Sequence, residues 1–551
     1  MGDRVEGHGG EHAVAVARAY GVDTMFTLSG AHVFPMYDGA VKADEPMRLV
    51  DVRHEQTAVF AAEATAKLTR RPGLAVLTAG PGVTNGVSAV TTAWFNGSPL
   101  LVVGGRAPAF RWGAGSLQEL DHPPLLAPVT KLAATVEDVA TIADRVDEAL
   151  RIATEPHRGP VFLDVPMDQL FSRAEVQLPR PPSRAAAAPD PGAVAAVGKL
   201  LASAERPVLV IGSDVWADGA EDAALRLAET TGVPVITNGM GRGVVPAGHP
   251  LLVTRARAAA FGGADLVVVA GVPLDFRLGF GTFGGKDGAA PAPVVHLVDS
   301  PEQVARHLDL AGSAAGDLTL VLDGVLEAWT RSSRPGAYDE WATTLRDTAR
   351  AAVEKDRGLL TSDADPVHPA RVYGELQTRL ADDAVVIGDG GDFVSFAGKY
   401  VEPKMPGGWL DPGPYGCLGT GLGYAIGARL ARPSGQVVLM LGDGAAGFSL
   451  MDVDTLVRHK LPVVMVMGNN GGWGLEKHPM RFLYGYDVAA ELAPATRYDD
   501  VVRALGGAGE LVTKPADIGP ALDRAFDSGV PYLVNIVTDP EIAYPRSTNL
   551  A

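Results

Sequence analysis

Short β-branched runs ending in glycine turns, alternating with alanine-rich helical segments, recur in three separate stretches of this 551-residue chain. Such alternation marks a parallel sheet whose helices cross over from strand to strand. The strand candidates are TMFTLSG, GLAVLTAG, PLLVVGG and PVFLDVP in the first stretch, and RPVLVIGS, VPVITNG, ADLVVVAGV and PVVHLVD in the second. In the third they are DAVVIGDGG, GQVVLMLGDG, PVVMVMGNN and PYLVNIV. LPRPPSRAAAAPDPG (residues 178–192) has no apolar period and reads as a linker. A polar, charged segment, 331–365, leads into the third stretch. The expected fold is therefore α/β, with three consecutive parallel-sheet domains over residues 1–177, 190–335 and 360–551.

Apolar residues make up 47% of the chain and charged residues 20%, which allows an ample core in each unit. A formal net charge of −18 argues against a nucleic-acid or anionic-membrane partner, although a few local arginines can still hold a small anion. The single cysteine, Cys417, excludes a disulfide framework and a thiolate zinc site, and fits a reducing compartment. MGDRVEGHGG at the N-terminus carries no signal-peptide core, so a cytoplasmic location is expected. Apolar runs such as PVVMVMG fall far short of the ~20 residues of a membrane span and read as buried strands.

The most specific local signal lies between Gly442 and Asn470, in GDGAAGFSLMDVDTLVRHKLPVVMVMGNN. QVVLMLGDG reads as a strand ending in a glycine turn. FSLMDVDTLVRH reads as a helix, with Phe448, Met451, Thr455 and Leu456 near helical spacing, and LPVVMVMG as the next strand, ending at Asn469–Asn470. In a parallel sheet both turns then lie at carboxyl ends of strands, where ligands of open α/β sheets bind. Asp443 and Asn470 offer two oxygen donors, and the Gly472 carbonyl can offer a third. Such hard ligands suit Mg²⁺ or Ca²⁺. The glycines at 442, 444, 447, 471 and 472 let backbone approach a diphosphate. Either motif alone is equally well a tight turn; the pair is not.

This arrangement resembles the diphosphate–metal motif of thiamine-diphosphate enzymes, and the three-block order resembles their pyrimidine-binding, central and diphosphate-binding domains over essentially the whole chain. The resemblance implies thiamine diphosphate and Mg²⁺ as cofactors, with Asp443, Asn470 and Gly472 on the metal, and Gly442, Gly444, Ala445 and Trp473 at the coenzyme. It also implies an activating carboxylic acid on N1′ of the coenzyme's pyrimidine. RLVDVRHEQTAVFAAEATAKLTR matches the family's context for that group, which assigns it to Glu55 at the start of an alanine-rich helix. A carboxylate there is also favoured by the helix dipole alone. Glu63 is the nearest rival, expected at solvent or at a subunit boundary. TAGPGVTNG (78–86) matches the family's glycine turn near the pyrimidine and places Pro81, Gly82 and Asn85 there. In GCLGTGLGYAIGA (416–428), Leu418 stands where the family props its bent coenzyme, or else is plain core. Because that site is built between chains, a homodimer or homotetramer is expected.

The reaction depends on groups around the coenzyme. FTLSGAHVFPMYDG (26–39) resembles the Gly-Ala-His loop of benzaldehyde-lyase-like enzymes, making His32 a candidate proton carrier, although a lone histidine is as readily structural. GSLQELDH (115–122) resembles the acetolactate-synthase and 2-hydroxyacyl-CoA-lyase branch, which points Gln118 at the substrate, with Lys131 beside it. Chain-wide similarity is to acetolactate-synthase-like proteins. Yet GGWGLEKHPM follows Asn470 where those carry NNEEQG-M-x-x-Q-W, and TRARAAAFGGADLVVVAGVPLDFRLGFG replaces their Met-His-Gly and Phe-Asp-Asp-Arg segments. Both departures argue against FAD. The central stretch resembles oxalyl-CoA decarboxylases and 2-hydroxyacyl-CoA lyases, which implies Arg257, with Arg255, on a CoA phosphate; an arginine pair suits phosphate geometry. The alternative for both is a charged helix surface. The leading expectation is a 2-hydroxyacyl-CoA lyase, whose small-molecule substrate is an acyl-CoA cleaved to an aldehyde or ketone plus formyl-CoA. The alternative is acetolactate-synthase-type carboligation of 2-oxo acids. A non-catalytic relic of the fold is disfavoured by the joint presence of Glu55, Asp443 and Asn470.

Overall fold

The computed structural model describes residues 4–43, 45–182, 185–285, 290–332 and 336–545. Three parallel sheets carry the chain, and every predicted strand run lies in one of them. The first sheet runs in space Arg48–Asp51, Thr24–Thr27, Gly73–Leu77, Leu100–Arg106, Pro160–Pro166, Ala133–Thr135. The third repeats that order with Trp409–Leu410, Val385–Asp389, Val437–Gly442, Val464–Asn469, Tyr532–Val537 and Ala508–Val512. The central sheet has five strands, Val235–Thr237, Pro207–Ile211, Leu266–Ala270, Val294–Val298 and Gly312–Ala315. The inner strands are buried on both faces, which is why they read as unbroken apolar runs. An antiparallel pair, Arg4–His8 with Arg173–Gln177, closes the first unit outside its sheet. Among the described residues no helix is long and apolar enough to cross a membrane.

One segment left unassigned in the sequence takes a definite form, and one expectation about local structure needs correction. The polar segment 331–365 holds a 22-residue helix, Asp339–Leu360, seated by Leu345 and by Trp341, whose indole donates to the Pro207 carbonyl at 3.1 Å. FSLMDVDTLVRH is not one helix but Asp443–Ser449, a 3-10 turn Leu450–Asp452, and Val453–Arg458. The break has a cause: Asp452 accepts hydrogen bonds from Arg53 N at 2.8 Å and Thr57 Oγ1 at 2.7 Å, tying this segment to the first domain. Thr455 and Leu456 are buried, whereas Phe448 and Met451 are exposed, so the four do not share one buried helix face.

The first and third domains meet along helices Glu55–Thr69 and Thr420–Ala431. A Cβ at Gly423 would lie 2.5 Å from Phe60 Cβ, and one at Gly427 would lie 2.3 Å from the Ala61 carbonyl oxygen, so only glycine admits this approach. Glu63 lies in this seam rather than at solvent. It is fully buried and accepts from Tyr424 Oη at 2.9 Å, Asn96 Nδ2 at 2.8 Å and Ser98 Oγ at 3.0 Å. A buried carboxylate needs such a set of donors.

The first and central domains are joined by a charged clasp. His157 Nδ1 lies 3.0 Å from Asp299, Arg158 pairs with Asp218 at 2.7 Å, and Asp214 faces His157 from the central domain. Burial alone would lower the His157 imidazole, but the carboxylates of Asp214 and Asp299 outweigh it and push the group up to about 8. Burial also raises the Asp214 carboxyl. Both groups hold protons more tightly in the folded chain than in the unfolded one, so both make stability decline as pH rises. The His157 contribution is complete below its ordinary value of 6.5 and is lost as pH rises through about 8. A shift of that size amounts to about 2 kcal/mol. The melting temperature should therefore fall across this window, and His157→Gln should flatten the fall. An unchanged slope in the variant removes His157 from this role.

Candidate functional site

Two sets of side chains form at the carboxyl ends of the first and third sheets. In the first, Glu55 opens its helix beneath the His54 cap, whose ring nitrogen accepts from Gln56 N at 3.2 Å. Glu55 is buried, and Asn85 Nδ2 donates to its Oε2 at 3.0 Å. Asn85 sits on helix Pro81–Phe95, which begins after Gly80 in the left-handed half of backbone space, with Pro81 in its first turn. A Cβ on Gly82 would lie 3.8 Å from Glu55 Oε1, so the turn passes directly over the carboxylate. His32 is buried with Nδ1 3.1 Å from Thr78 Oγ1, and burial holds its imidazole below the ordinary 6.5, hence neutral at pH 7. Gln118 packs on the same turn: a Cβ on Gly80 would lie 2.9 Å from Gln118 Cβ. Glu55, Pro81, Gly82, Asn85, His32 and Gln118 thus gather at one edge of one sheet.

Lys131 does not join them. Its ammonium donates to the carbonyls of Glu155 at 2.7 Å and His157 at 2.8 Å, at the start of strand Ala133–Thr135 and so at the sheet's other edge.

In the third domain, strands Val437–Gly442 and Val464–Asn469 are parallel neighbours, with Gly442 opposite Gly468. Asp443 and Asn470 therefore leave the sheet side by side. Asp443 is 2% exposed and accepts from Gly471 N at 2.8 Å. Burial pushes its carboxyl up to about 6, against the pull of the surrounding backbone N–H groups. Among the described residues no lysine, arginine or histidine pairs with it. Asn470 Oδ1 accepts from Gly472 N at 3.2 Å, folding the loop back over Asp443. The ring of Trp473 lies against Gly444, where a Cβ would be 2.7 Å from it. A Cβ on Gly442 or Gly447 would meet nothing within 4 Å, leaving open space beside Ala445 for a ligand. Leu418 is half-buried on the turn between Gly416 and Gly419, both left-handed.

Three residues given no role from the sequence alone support the site. Asn469 is buried and donates to Thr496 O and Asn535 Oδ1, each at 3.0 Å, so the first asparagine of the pair anchors the loop that the second tops. Asp389 accepts from Gly419 N at 3.0 Å and Gly421 N at 2.8 Å, fixing the Leu418 turn, and burial pushes it up to about 7. His122 bridges Gly80 and Asp164. The glycine-flanked aspartate in DAVVIGDGG was the available hint for Asp389. Within one chain, no hydrogen bond or ion pair joins Glu55 directly to Asp443; the two sets are linked through Gln56, whose Nε2 lies 3.5 Å from the Phe448 carbonyl.

A separate cavity of about 830 Å³ opens between the central and third domains, lined by Arg242, Arg255, Arg257, Arg277 and Lys355 together with Asp356 and Asp411, and Arg277 is paired with Asp275 at 2.7 Å. The two expected arginines do not form a fork. Arg255 is ion-paired with Asp356 and donates to Lys399 O at 3.0 Å. Arg257 donates to the Arg277 carbonyl and lies over the Phe261 ring, 4.9 Å from its centroid, with no carboxylate partner among the described residues. Burial, then Arg277, holds the Arg257 guanidinium below its ordinary value.

Three family models match the chain in order: the N-terminal TPP binding domain of thiamine pyrophosphate enzymes at residues 7–125, the central domain at 194–325, and the C-terminal TPP binding domain at 389–536. The chain therefore belongs to the thiamine-diphosphate (thiamine pyrophosphate) enzyme family. It is 50% identical to the acetolactate synthase large subunit IlvG of Mycobacterium tuberculosis, over 99% of this chain and 98% of that one. It is 34% identical to 2-hydroxyacyl-CoA lyase 2 of Homo sapiens, over 96% and 90% of the two chains, and to 2-hydroxyacyl-CoA lyase 2 of Caenorhabditis elegans, over 92% and 84%. The residues fit the family's cofactors. A buried carboxylate without a cation, flanked by oxygen donors and side-chain-free glycines, suits a magnesium diphosphate, and a buried carboxylate reached by one amide suits a pyrimidine nitrogen.

Proposed function

We propose that this chain is a thiamine-diphosphate- and Mg²⁺-dependent carboligase of acetolactate-synthase type, acting on small 2-oxo acids. The observation that supports this reading is the end-to-end likeness to IlvG, half of all positions over nearly the full length of both chains. Asp443, Asn470 and the Gly472 carbonyl hold the metal, with Gly442, Gly444, Ala445 and Trp473 around the diphosphate. Glu55 holds a proton at the pyrimidine nitrogen while Asn85 orients its carboxyl, and Leu418 supports the coenzyme from the third domain. The bound coenzyme supplies an electron sink on which bonds to a carbonyl carbon break or form. Neutral His32 can accept or return a proton on the substrate side, and Gln118 orients the substrate. The active unit is a homodimer or homotetramer with sites between chains. The exposed stacked pair Phe95–Tyr415, with exposed Phe448 and Met451, supports a partner surface. A reducing, cytoplasmic setting fits the single cysteine.

A second reading, cleavage of a 2-hydroxyacyl-CoA to a carbonyl compound and formyl-CoA, is favoured by the arginine-rich cavity, where Arg257 is a half-buried cation with no carboxylate partner among the described residues. A phosphate of a nucleotide-bearing molecule is the complement of such a group. Incubating the purified enzyme with pyruvate and, separately, with a 2-hydroxyacyl-CoA separates the two: acetolactate formation upholds the first, whereas formyl-CoA release with no acetolactate replaces it with the second. Under the second, Arg257→Ala should raise KM for the thioester more than it lowers kcat, because the contact is remote from the reacting carbon. A charge-assisted hydrogen bond contributes about 1.5–3 kcal/mol, so kcat/KM should fall by roughly one to two powers of ten. Cleavage of a CoA-free acyloin should be untouched; an equal loss there contradicts a CoA role for Arg257.

A further inference from the structure

We infer that His122 is a positioning residue that holds the Gln118 loop against the coenzyme-side turn at Gly80, an assignment that rests on the proposed site. Gln118 has φ of +61°, in the left-handed region that a non-glycine residue occupies only when its surroundings hold it there. The loop around it is fastened at several points. The Glu119 carboxylate accepts from Gly113 N at 3.1 Å and Ser116 N at 3.2 Å, and Asp121 pairs with Arg106 at 3.0 Å. His122 is the fastening that reaches the site. It is fully buried, its Nε2 lies 3.0 Å from Gly80 N, and its Nδ1 lies 2.9 Å from Asp164 Oδ2.

The direction of these bonds follows from the donors. A backbone N–H can only donate, so Nε2 of His122 accepts and the ring proton sits on Nδ1, donating to Asp164. Asp164, itself fully buried, is paired with Arg106 at 2.8 Å, and the Arg106 guanidinium stacks 3.8 Å from the Trp112 ring centroid. The result is a line, Arg106–Asp164–His122–Gly80, with its tautomer fixed at both ends. Gly80 is where the line acts. Its backbone touches Gln118, and a Cβ there would sit 3.0 Å from the Gln118 carbonyl oxygen. The next residue begins the helix that carries Asn85 to Glu55. His122 makes no hydrogen bond to Gln118 or Glu55 among the described residues but stands behind the one turn that serves both.

The test uses the full chain with two substitutions at His122. His122→Gln keeps an oxygen to accept from Gly80 and an amide to donate to Asp164; His122→Leu keeps neither. In the coenzyme-free protein, hydrogen exchange at the Gly80 amide should be slow in the wild type, nearly as slow in His122→Gln, and faster by about tenfold or more in His122→Leu, the scale of one lost buried hydrogen bond. In the loaded enzyme, His122→Leu should lower kcat more than it raises KM, His122→Gln should restore most of the loss, and His122→Leu combined with Gln118→Ala should be no worse than the poorer single variant. Fast Gly80 exchange in the wild type, equal behaviour of the two His122 variants, or fully multiplicative losses in the double variant each overturn the assignment. If His122→Leu does not fold, wild-type and His122→Gln exchange still decide: slow exchange in both upholds the bond, and fast exchange in either refutes it. An enzyme inactive on every substrate tried, with the exchange pattern intact, counts against the proposed function and not against the His122 line.

Discussion

Asp443→Ala is expected to give a folded protein that no longer retains thiamine diphosphate at any practical Mg²⁺ concentration. Asp443 is the one charged donor in the set it forms with Asn470 and Gly472, and it is buried without a cationic side chain to balance it. Removing one partner of a buried charged pair costs about 3–5 kcal/mol, or roughly two to four powers of ten in affinity. The coenzyme-free variant should fold nonetheless, because the lost carboxylate was already disfavoured by burial and its main internal partner is one backbone N–H. Calorimetric titration with coenzyme and Mg²⁺, beside circular dichroism of the apo protein, reads both effects. Wild-type coenzyme binding with an unchanged Mg²⁺ requirement would remove Asp443 from the metal.

Glu55→Gln is expected to reduce exchange of the bound coenzyme's C2 proton, and turnover with it, by about 10²–10⁴-fold, the usual scale for one acid–base group. The amide has nearly the shape of the acid and can still accept from Asn85 Nδ2, so the helix start and its cap should survive. It cannot hold the acidic proton at the pyrimidine nitrogen. Proton exchange followed by NMR isolates this step from substrate binding, and exchange at the wild-type rate would end the assignment.

The parts of the site legible in the sequence are those whose chemistry restricts the residue type. Asp443 and Asn470 stood out because oxygen donors and glycines were required together at two strand ends. The inner strands were legible because burial on both faces leaves no polar alternation. What stayed hidden depended on partners far along the chain. Glu63 looked like a residue facing solvent or a subunit boundary, since nothing in EQTAVFAAEATAKLT tells that Tyr424 will cover it. Arg255 looked available, yet Asp356 on a later helix takes its charge. His122 gave no signal because Gly80 and Asp164 lie on different loops and strands. Of the missed edge strands, Ala133–Thr135, Gly312–Ala315 and Ala508–Val512 are short and half-exposed and carry no apolar run, and Trp409–Leu410 is buried but only two residues long.

The glycine seam between helices Glu55–Thr69 and Thr420–Ala431 bears on how the molecule can move. With Gly423 against Phe60 Cβ and Gly427 against the Ala61 carbonyl, the two helices approach closely at both glycines, and the buried rings of Phe60 and Tyr424, edge to face at 5.9 Å, fill the seam beside them. The Tyr424–Glu63 bond pins them in register. The first and third domains of one chain therefore turn together as a single lever. Any change of shape at the Glu55 edge is left to the loops that project from it, of which residues 109–122 expose Phe110, Trp112 and Leu117. Shortening or stiffening that loop should change the rate of exchange with solvent while leaving the seam, and the geometry it sets, untouched.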